Sequence, residues 1–200
     1  QLVLHLDHGA SYEQVIQCLR NGFTSVMIDG SRLPLKENIR VTKEVTRAAH
    51  TVGVSVEAEL GAIGGTEDGM TAKANLVNVD DARCFLEEVT VEALAIGIGN
   101  AHGIYKSTPN LAFDRLEQVA ALGGPALVLH GGSGIPDDMI RKAIVMGIRK
   151  INVATEVRLA FLEGFGLEVN SKDIYKAYQS AQAHARKIIS DKMSLFDTTK

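Results

Sequence analysis

The chain is poor in the residues that mark extracellular, nucleic-acid-binding or membrane proteins. Tryptophan is absent, and only two cysteines occur, Cys18 and Cys84, without CxxC spacing. Both fall in segments that read as helices, so the expectation is two buried free thiols in a reducing cytoplasm. Positive charge is not in excess. Twenty-one Lys and Arg stand against 24 Asp and Glu, the net charge is −3, and no basic run exists, which leaves no electrostatic footprint for nucleic acid. Apolar stretches such as Ala93–Ile98 are far too short to cross a bilayer. Gln1–Leu6 lacks the positively charged head of a secretory signal. What remains, 46% hydrophobic and 22% charged over 200 residues, suits a globular chain that needs only one domain, residues 1–200.

Short β-rich runs alternate with amphipathic helical segments. The runs are Leu2–Leu6, Ser25–Ile28, Val54–Leu60, Ala93–Ile98, Ala126–Leu129 and Lys150–Val153. They are nearly continuous apolar stretches, the pattern of strands buried on both faces. Helices are expected over Tyr12–Arg20, with Ser11 as N-cap and Asn21-Gly22 as the stop, and over Glu37–His50, Asp80–Val89, Phe113–Leu122, Pro136–Met146, Thr155–Phe165 and Lys172–Lys192. Repeated strand–helix units imply an α/β fold on a parallel sheet, doubly wound or closed into a barrel. Six units are too few for a closed (β/α)8 TIM barrel. Since the chain opens directly on a strand, the first two units are expected to be lacking from it; a six-unit open sheet is the alternative.

The unusual polar residues collect where such folds put their chemistry, at the C-terminal ends of strands. The endings are Asp7-His8-Gly9, Asp29-Gly30-Ser31, Glu57 and Glu59 before Gly61, Gly99-Asn100-Ala101-His102-Gly103, His130-Gly131-Gly132-Ser133-Gly134, and Asn152-Val153-Ala154-Thr155. A lone histidine is usually a hydrogen-bonded structural group. His8, His102 and His130, in equivalent positions on separate strands, point to a metal, because three neutral imidazoles plus one open position is how a catalytic zinc is held. His5 sits two residues before Asp7 and has at most a secondary role. His50 and His184 fall on helices and read as solvated or packed.

Gly131-Gly132-Ser133 and Asn152–Thr155 close the last two strands. With two further units ahead of them they become strands seven and eight, where barrels build phosphate sites from backbone N–H groups and a helix N-terminus. Asp7 neighbours a metal ligand on a strand whose side chains should alternate; a turn of the backbone at the strand's end would bring both to the mouth, where Asp7 could carry a proton. Gly64-Gly65-Thr66-Glu67-Asp68-Gly69 reads as a mobile lid loop bearing an acid or base, or equally as a solvated turn.

These segments together resemble the class II fructose-/tagatose-bisphosphate aldolases. The likeness runs from Leu4 to about Phe161, through His5-Leu6-Asp7-His8-Gly9, Gly22–Ser31, Val54–Gly61, Gly64–Gly69, His102–Lys106, Leu127–Gly134 and Lys150–Glu156. The resemblance implies a (β/α)8 barrel that is homodimeric or homotetrameric, cytoplasmic, and acts on a small sugar phosphate with no nucleic-acid or membrane partner. It implies Zn²⁺ on His8, His102 and His130. Asp7 would exchange a proton with the C4 hydroxyl, and Glu67 would move the C3 proton. Gly103, Gly131, Gly132, Ser133, Asn152, Val153, Ala154 and Thr155 would bind the dihydroxyacetone phosphate half, partly around a monovalent cation, Na⁺ or K⁺. Asp29 and Glu59 match a second divalent-metal position seen in some members. Ala154 departs from the fructose-specific pattern toward the tagatose-type and broader ketose-bisphosphate members. A Schiff-base aldolase would need a lysine at a strand's end, and Lys150 opens its strand while Lys106 lies in a loop. A non-catalytic phosphate-binding barrel relic is the reading from another class.

Overall fold

The computed structural model describes residues 2–67, 70–72 and 75–197, residues 66–67 and 70–72 in backbone only. The main sheet is six-stranded and parallel. Its strands are β1 (His5–Gly9), β2 (Ser25–Ile28), β3 (Ser55–Leu60), β6 (Ala93–Ile96), β8 (Ala126–Leu129) and β9 (Ile148–Ile151), lying side by side in that order. Every crossover therefore steps the same way. With right-handed connections the helices must then all fall on one face, which makes a curled half-barrel rather than a doubly wound sheet. The six strands leave the sheet open between β9 and β1.

The helices between the strands are α1 (Tyr12–Arg20), α2 (Leu35–Thr51), α3 (Val79–Glu88), α4 (Phe113–Ala120) and α5 (Asp137–Val145). Ser11 caps α1 by accepting from the Gln14 amide, and Asn78 caps α3 by accepting from Asp80 and Asp81. Their apolar stripes meet the outward residues of the strands. Val15, Val45, Phe85, Leu116 and Ile140 from the helices pack with Val26, Val56, Leu94, Ile96, Leu129 and Ile148 from the sheet. The inward face is different. Met27, Ala95 and Val128 form a small separate cluster there, and the same parity on β3 carries Glu57 and Glu59, each 1% exposed. Two carboxylates buried on the concave face are not explained by packing; they need partners.

Three features depart from the sequence pattern. The described residues around the expected loop form strands: β4 (Gly64–Glu67) and β5 (Met70–Ala72) pair antiparallel, and β4 pairs in parallel with β7 (Ala101–His102) in a second, three-stranded sheet. The thiols are not both buried, since Cys18 is half-buried and Cys84 exposed on the outer side of α3. The closing helices run longer than expected, α6 over Thr155–Glu168 and α7 over Ile174–Phe196. They pack along a seam of small residues (Ala177, Ala181 and Ala185 on α7) where a side chain on Gly164 would strike Ala181 and the Ser180 carbonyl. Among the described residues no helix is long and apolar enough to cross a membrane.

Candidate active site

Asp7 and His8 stand side by side at the mouth because the backbone breaks the alternation of β1. His8 has φ +45, left-handed backbone that costs a non-glycine residue of order 1–3 kcal/mol, and the β1–β2 register shifts between Leu6 and Gly9. Gly9 is needed at that shift, since a side chain on it would overlap the Met27 carbonyl. His130 follows β8 directly. His102 does not follow β6; it sits in β7, and Asn100 ties the intervening turn down by accepting from the Ile98 amide at 2.9 Å and donating to the His130 carbonyl at 2.9 Å. Tyr105 braces the same turn, accepting from the Ala101 amide at 2.8 Å and donating to the Gly131 carbonyl at 3.0 Å.

The three predicted histidines come together. Their ring centroids are 4.9 Å (His8–His102), 4.7 Å (His8–His130) and 6.0 Å (His102–His130) apart, and one nitrogen from each lies within 4.8 Å of the others. His130 Nδ1 and His8 Nε2 are 2.9 Å apart. Two imidazole nitrogens so close must share a proton or a cation. The donor set fits a divalent ion: three imidazoles, two of them with their remaining nitrogens held by carboxylates. His130 Nε2 is 2.8 Å from Glu57 Oε1, and His8 Nδ1 is 3.0 Å from Asp29 Oδ2. Such outer contacts fix the tautomer that leaves the ligating lone pair free.

The electrostatics follow from these contacts. Burial would lower His8, but the hydrogen bond to Asp29, with the nearby Glu59 and Asp7 charges, lifts it to about 9. Burial would raise Asp29 and Glu57, but the first is brought down to about 2 by His8 and Ser31, the second to about 2 by His130 and Lys150. Glu59 goes the other way, pushed up to about 8 by burial and then by the Asp29 charge; its Oε2 is buried without a hydrogen-bond partner. Together with His8 and Asp29 it forms a second group whose ligand atoms could share an ion, so the pair singled out in the sequence is also brought together. Burial, and then Lys150, lower His5, whose Nδ1 contacts Ser25 Oγ at 2.8 Å.

Beside the histidines lies a cavity of about 320 Å³, lined by His5, Asp7, His102, Gly103, Gly131, Ser133, Lys150 and 151–155. Its far wall is the start of α6, where Ala154 provides no side-chain cap, so the helix presents backbone N–H groups and the positive end of its dipole. Gly103 and Gly131, at φ +90 and +63, carry the chain past it. Asn152 reaches across, donating through Nδ2 to Asp7 Oδ1 at 3.1 Å. Of the residues singled out in the sequence, Gly132 lies behind the wall, its amide donating to the Asn152 carbonyl at 2.9 Å. The Glu67 side chain lies outside the described residues.

Sequence reasoning missed two participants. Glu57 was left without a role, although Glu57 and Glu59 two apart in an apolar strand is a detectable sign of a polar inner face. Lys150 does not open its strand; it lies in β9 near the end, with Nζ 2.9 Å from Glu57 Oε2 and 2.7 Å from Asn152 Oδ1.

The chain is similar to proteins of one enzyme family. The family model described as "Fructose-bisphosphate aldolase class-II" matches residues 1–200. A fructose-bisphosphate aldolase of Streptococcus pyogenes serotype M3 is 44% identical over 201 residues, 100% of this chain and 64% of the relative. A 6-phospho-5-dehydro-2-deoxy-D-gluconate aldolase of Bacillus subtilis is 47% identical over 162 residues, 81% of this chain and 56% of the relative. The crystal structure of the YdjI aldolase from Escherichia coli K12 superposes with TM-score 0.85 at 32% identity, covering 97% of this chain and 68% of that one. The chain thus spans less than two thirds of the length of the curated relatives it matches.

Proposed function

The chain belongs to the class-II fructose-bisphosphate aldolase family, and from that premise we propose that it serves the metal-dependent, reversible cleavage of a ketose-1,6-bisphosphate to dihydroxyacetone phosphate and glyceraldehyde 3-phosphate. The observation that carries the reading is the convergence of His8, His102 and His130 on one point beside Asp7. These three imidazoles would hold Zn²⁺, which when bound polarises the ketose C2 carbonyl and stabilises the charge left by C3–C4 cleavage.

The chain's own residues do the rest. Asp7 takes the proton from the C4 hydroxyl as the bond breaks; it is oriented by Asn152. Glu67 exchanges the proton at C3. Backbone N–H groups of Gly103, Gly131 and Ser133, with those of 153–155 at the start of α6, anchor the phosphate of the dihydroxyacetone half, partly around Na⁺ or K⁺, and fix the reacting bond near the metal, while Gly132 and Asn152 shape the turn through their own backbone bonds. Asp29 and Glu59, with His8, offer the second divalent-metal position. The chain is read as one domain on a (β/α)8 barrel, in which two further strand–helix units would close the sheet between β9 and β1. A cytoplasmic homodimer or homotetramer is the expected setting.

A second substrate reading rests on a specific observation. The similarity to the Bacillus subtilis deoxygluconate aldolase and the alanine at position 154 favour a broader phosphorylated keto-sugar range. A coupled assay of aldol cleavage on fructose- and tagatose-1,6-bisphosphate, with and without chelator, tests the proposal. Chelator-sensitive release of triose phosphate is expected; chelator-resistant cleavage would refute the metal mechanism, and a non-catalytic relic would release none.

A further inference from the structure

Lys150 touches both poles of the site at once. Its ammonium is 2.9 Å from Glu57 Oε2, and the other oxygen of that carboxylate is 2.8 Å from Nε2 of the candidate ligand His130. The same ammonium donates to Asn152 Oδ1 at 2.7 Å, which turns the amide so that Nδ2 faces the Asp7 carboxylate at 3.1 and 3.3 Å. Glu57 is 1% exposed, and a buried carboxylate keeps its rotamer only while both oxygens are held. We propose that Lys150 is a positioning residue that couples the metal pole to the proton-carrying pole, holding His130 through Glu57 and Asp7 through Asn152.

This rests on the aldolase reading, and the chemistry is specific. With Oε2 anchored by Lys150, Oε1 accepts from His130 Nε2–H, which commits Nδ1 to the side facing His8 and the metal point. Without the anchor the carboxylate swings and His130 loses the contact that selects its tautomer. At the other pole the Asn152 amide loses the acceptor contact that keeps its nitrogen toward Asp7. Lys150 lines the cavity too, so the rival role is direct binding of a substrate phosphate. The two roles differ in what they do to metal affinity.

The test measures zinc affinity by competition with a chromophoric chelator, and cleavage kinetics at saturating zinc. It compares wild type, Lys150→Met, Lys150→Arg, Glu57→Gln and the Lys150→Met/Glu57→Gln pair. Lys150→Met is expected to weaken zinc roughly 10–100-fold, and the loss should largely vanish in the Glu57→Gln background, because the effect passes through that carboxylate. At saturating zinc the Met variant should lose kcat with little change in KM. Lys150→Arg, which restores a cationic donor, should recover most of the zinc affinity, and it decides the matter if the Met variant does not fold. Unchanged zinc affinity with a raised KM would overturn the coupling in favour of phosphate binding. Equal losses in both backgrounds would overturn the route through Glu57. A wild type that binds no zinc would sink the aldolase reading beneath it.

Discussion

Gly131→Ala probes how tightly the site is assembled. Gly131 has φ +63, and a Cβ built there falls 2.6 Å from the Ala101 carbonyl carbon, with the carbonyl oxygen nearer still. Left-handed backbone costs an alanine about 1–2 kcal/mol. Ordinary contact begins at 3.4 Å, so the turn after His130 and the strand before His102 must separate by more than about 0.8 Å, the carbonyl oxygen being closer than the carbon, and displacements near 1 Å at a reacting centre cost on the order of 100-fold in rate. Two ligands would part at once. Thermal melting and a coupled cleavage assay read the outcome: a loss of roughly 2–8 °C together with about a 100-fold fall in kcat/KM. Gly22→Ala is the control, because its φ is +81 but nothing lies within 4 Å of the added carbon; it should melt lower and keep full activity. A Gly131→Ala protein as active as wild type would refute the reasoning.

Asp7→Asn should reduce kcat by about 10²–10⁴-fold while zinc affinity, measured by chelator competition, stays near wild type. Ser133→Ala should raise KM for bisphosphate substrates, since Ser133 Oγ accepts from the Glu156 amide and shapes the cavity wall; steady-state kinetics check it. Metal-free protein should lose stability as pH rises from about 6.5 to 9; below that window the burial that lowers His5 and His130 acts with the opposite sign. His8, held near 9 by Asp29 against the effect of burial, contributes fully below the unfolded value near 6.5 and loses its contribution as pH climbs through 9. Glu59, pushed by burial to about 8, retains a proton that the unfolded chain has released above 4.5, which has the same sign. A metal-free melting temperature higher at pH 9 than at pH 6.5 would contradict this.

Much of the fold was legible in the sequence. Apolar runs at Ser25–Ile28 and Ala126–Leu129 and the capped helix Tyr12–Arg20 are found with the same bounds, because local periodicity, caps and glycine stops all agree there. The β4–β5 hairpin was not legible. Gly64–Ala72 has no apolar alternation, and its pairing with β7 depends on Gly65, where any side chain would strike the His102 carbonyl; only the folded chain brings those backbones together. The three histidines were found because each lies beside glycine near a strand's end, although His102 belongs to β7 rather than to the turn directly after β6. Lys150 and Glu57 were not, because their contact joins β9 to β3 across the concave face and leaves no trace in local spacing. The placement of Asp7 beside His8 required a backbone turn, and the left-handed φ at His8 supplies it.

The central claim is that three imidazoles meet on one ion. X-ray absorption at the zinc edge of the zinc-loaded protein measures this directly. The account predicts a first coordination sphere containing three imidazole nitrogens at about 2.0–2.1 Å, reduced to two in His130→Ala. A sphere built of sulfur or of carboxylates without imidazole, or a spectrum unchanged by that substitution, would contradict it.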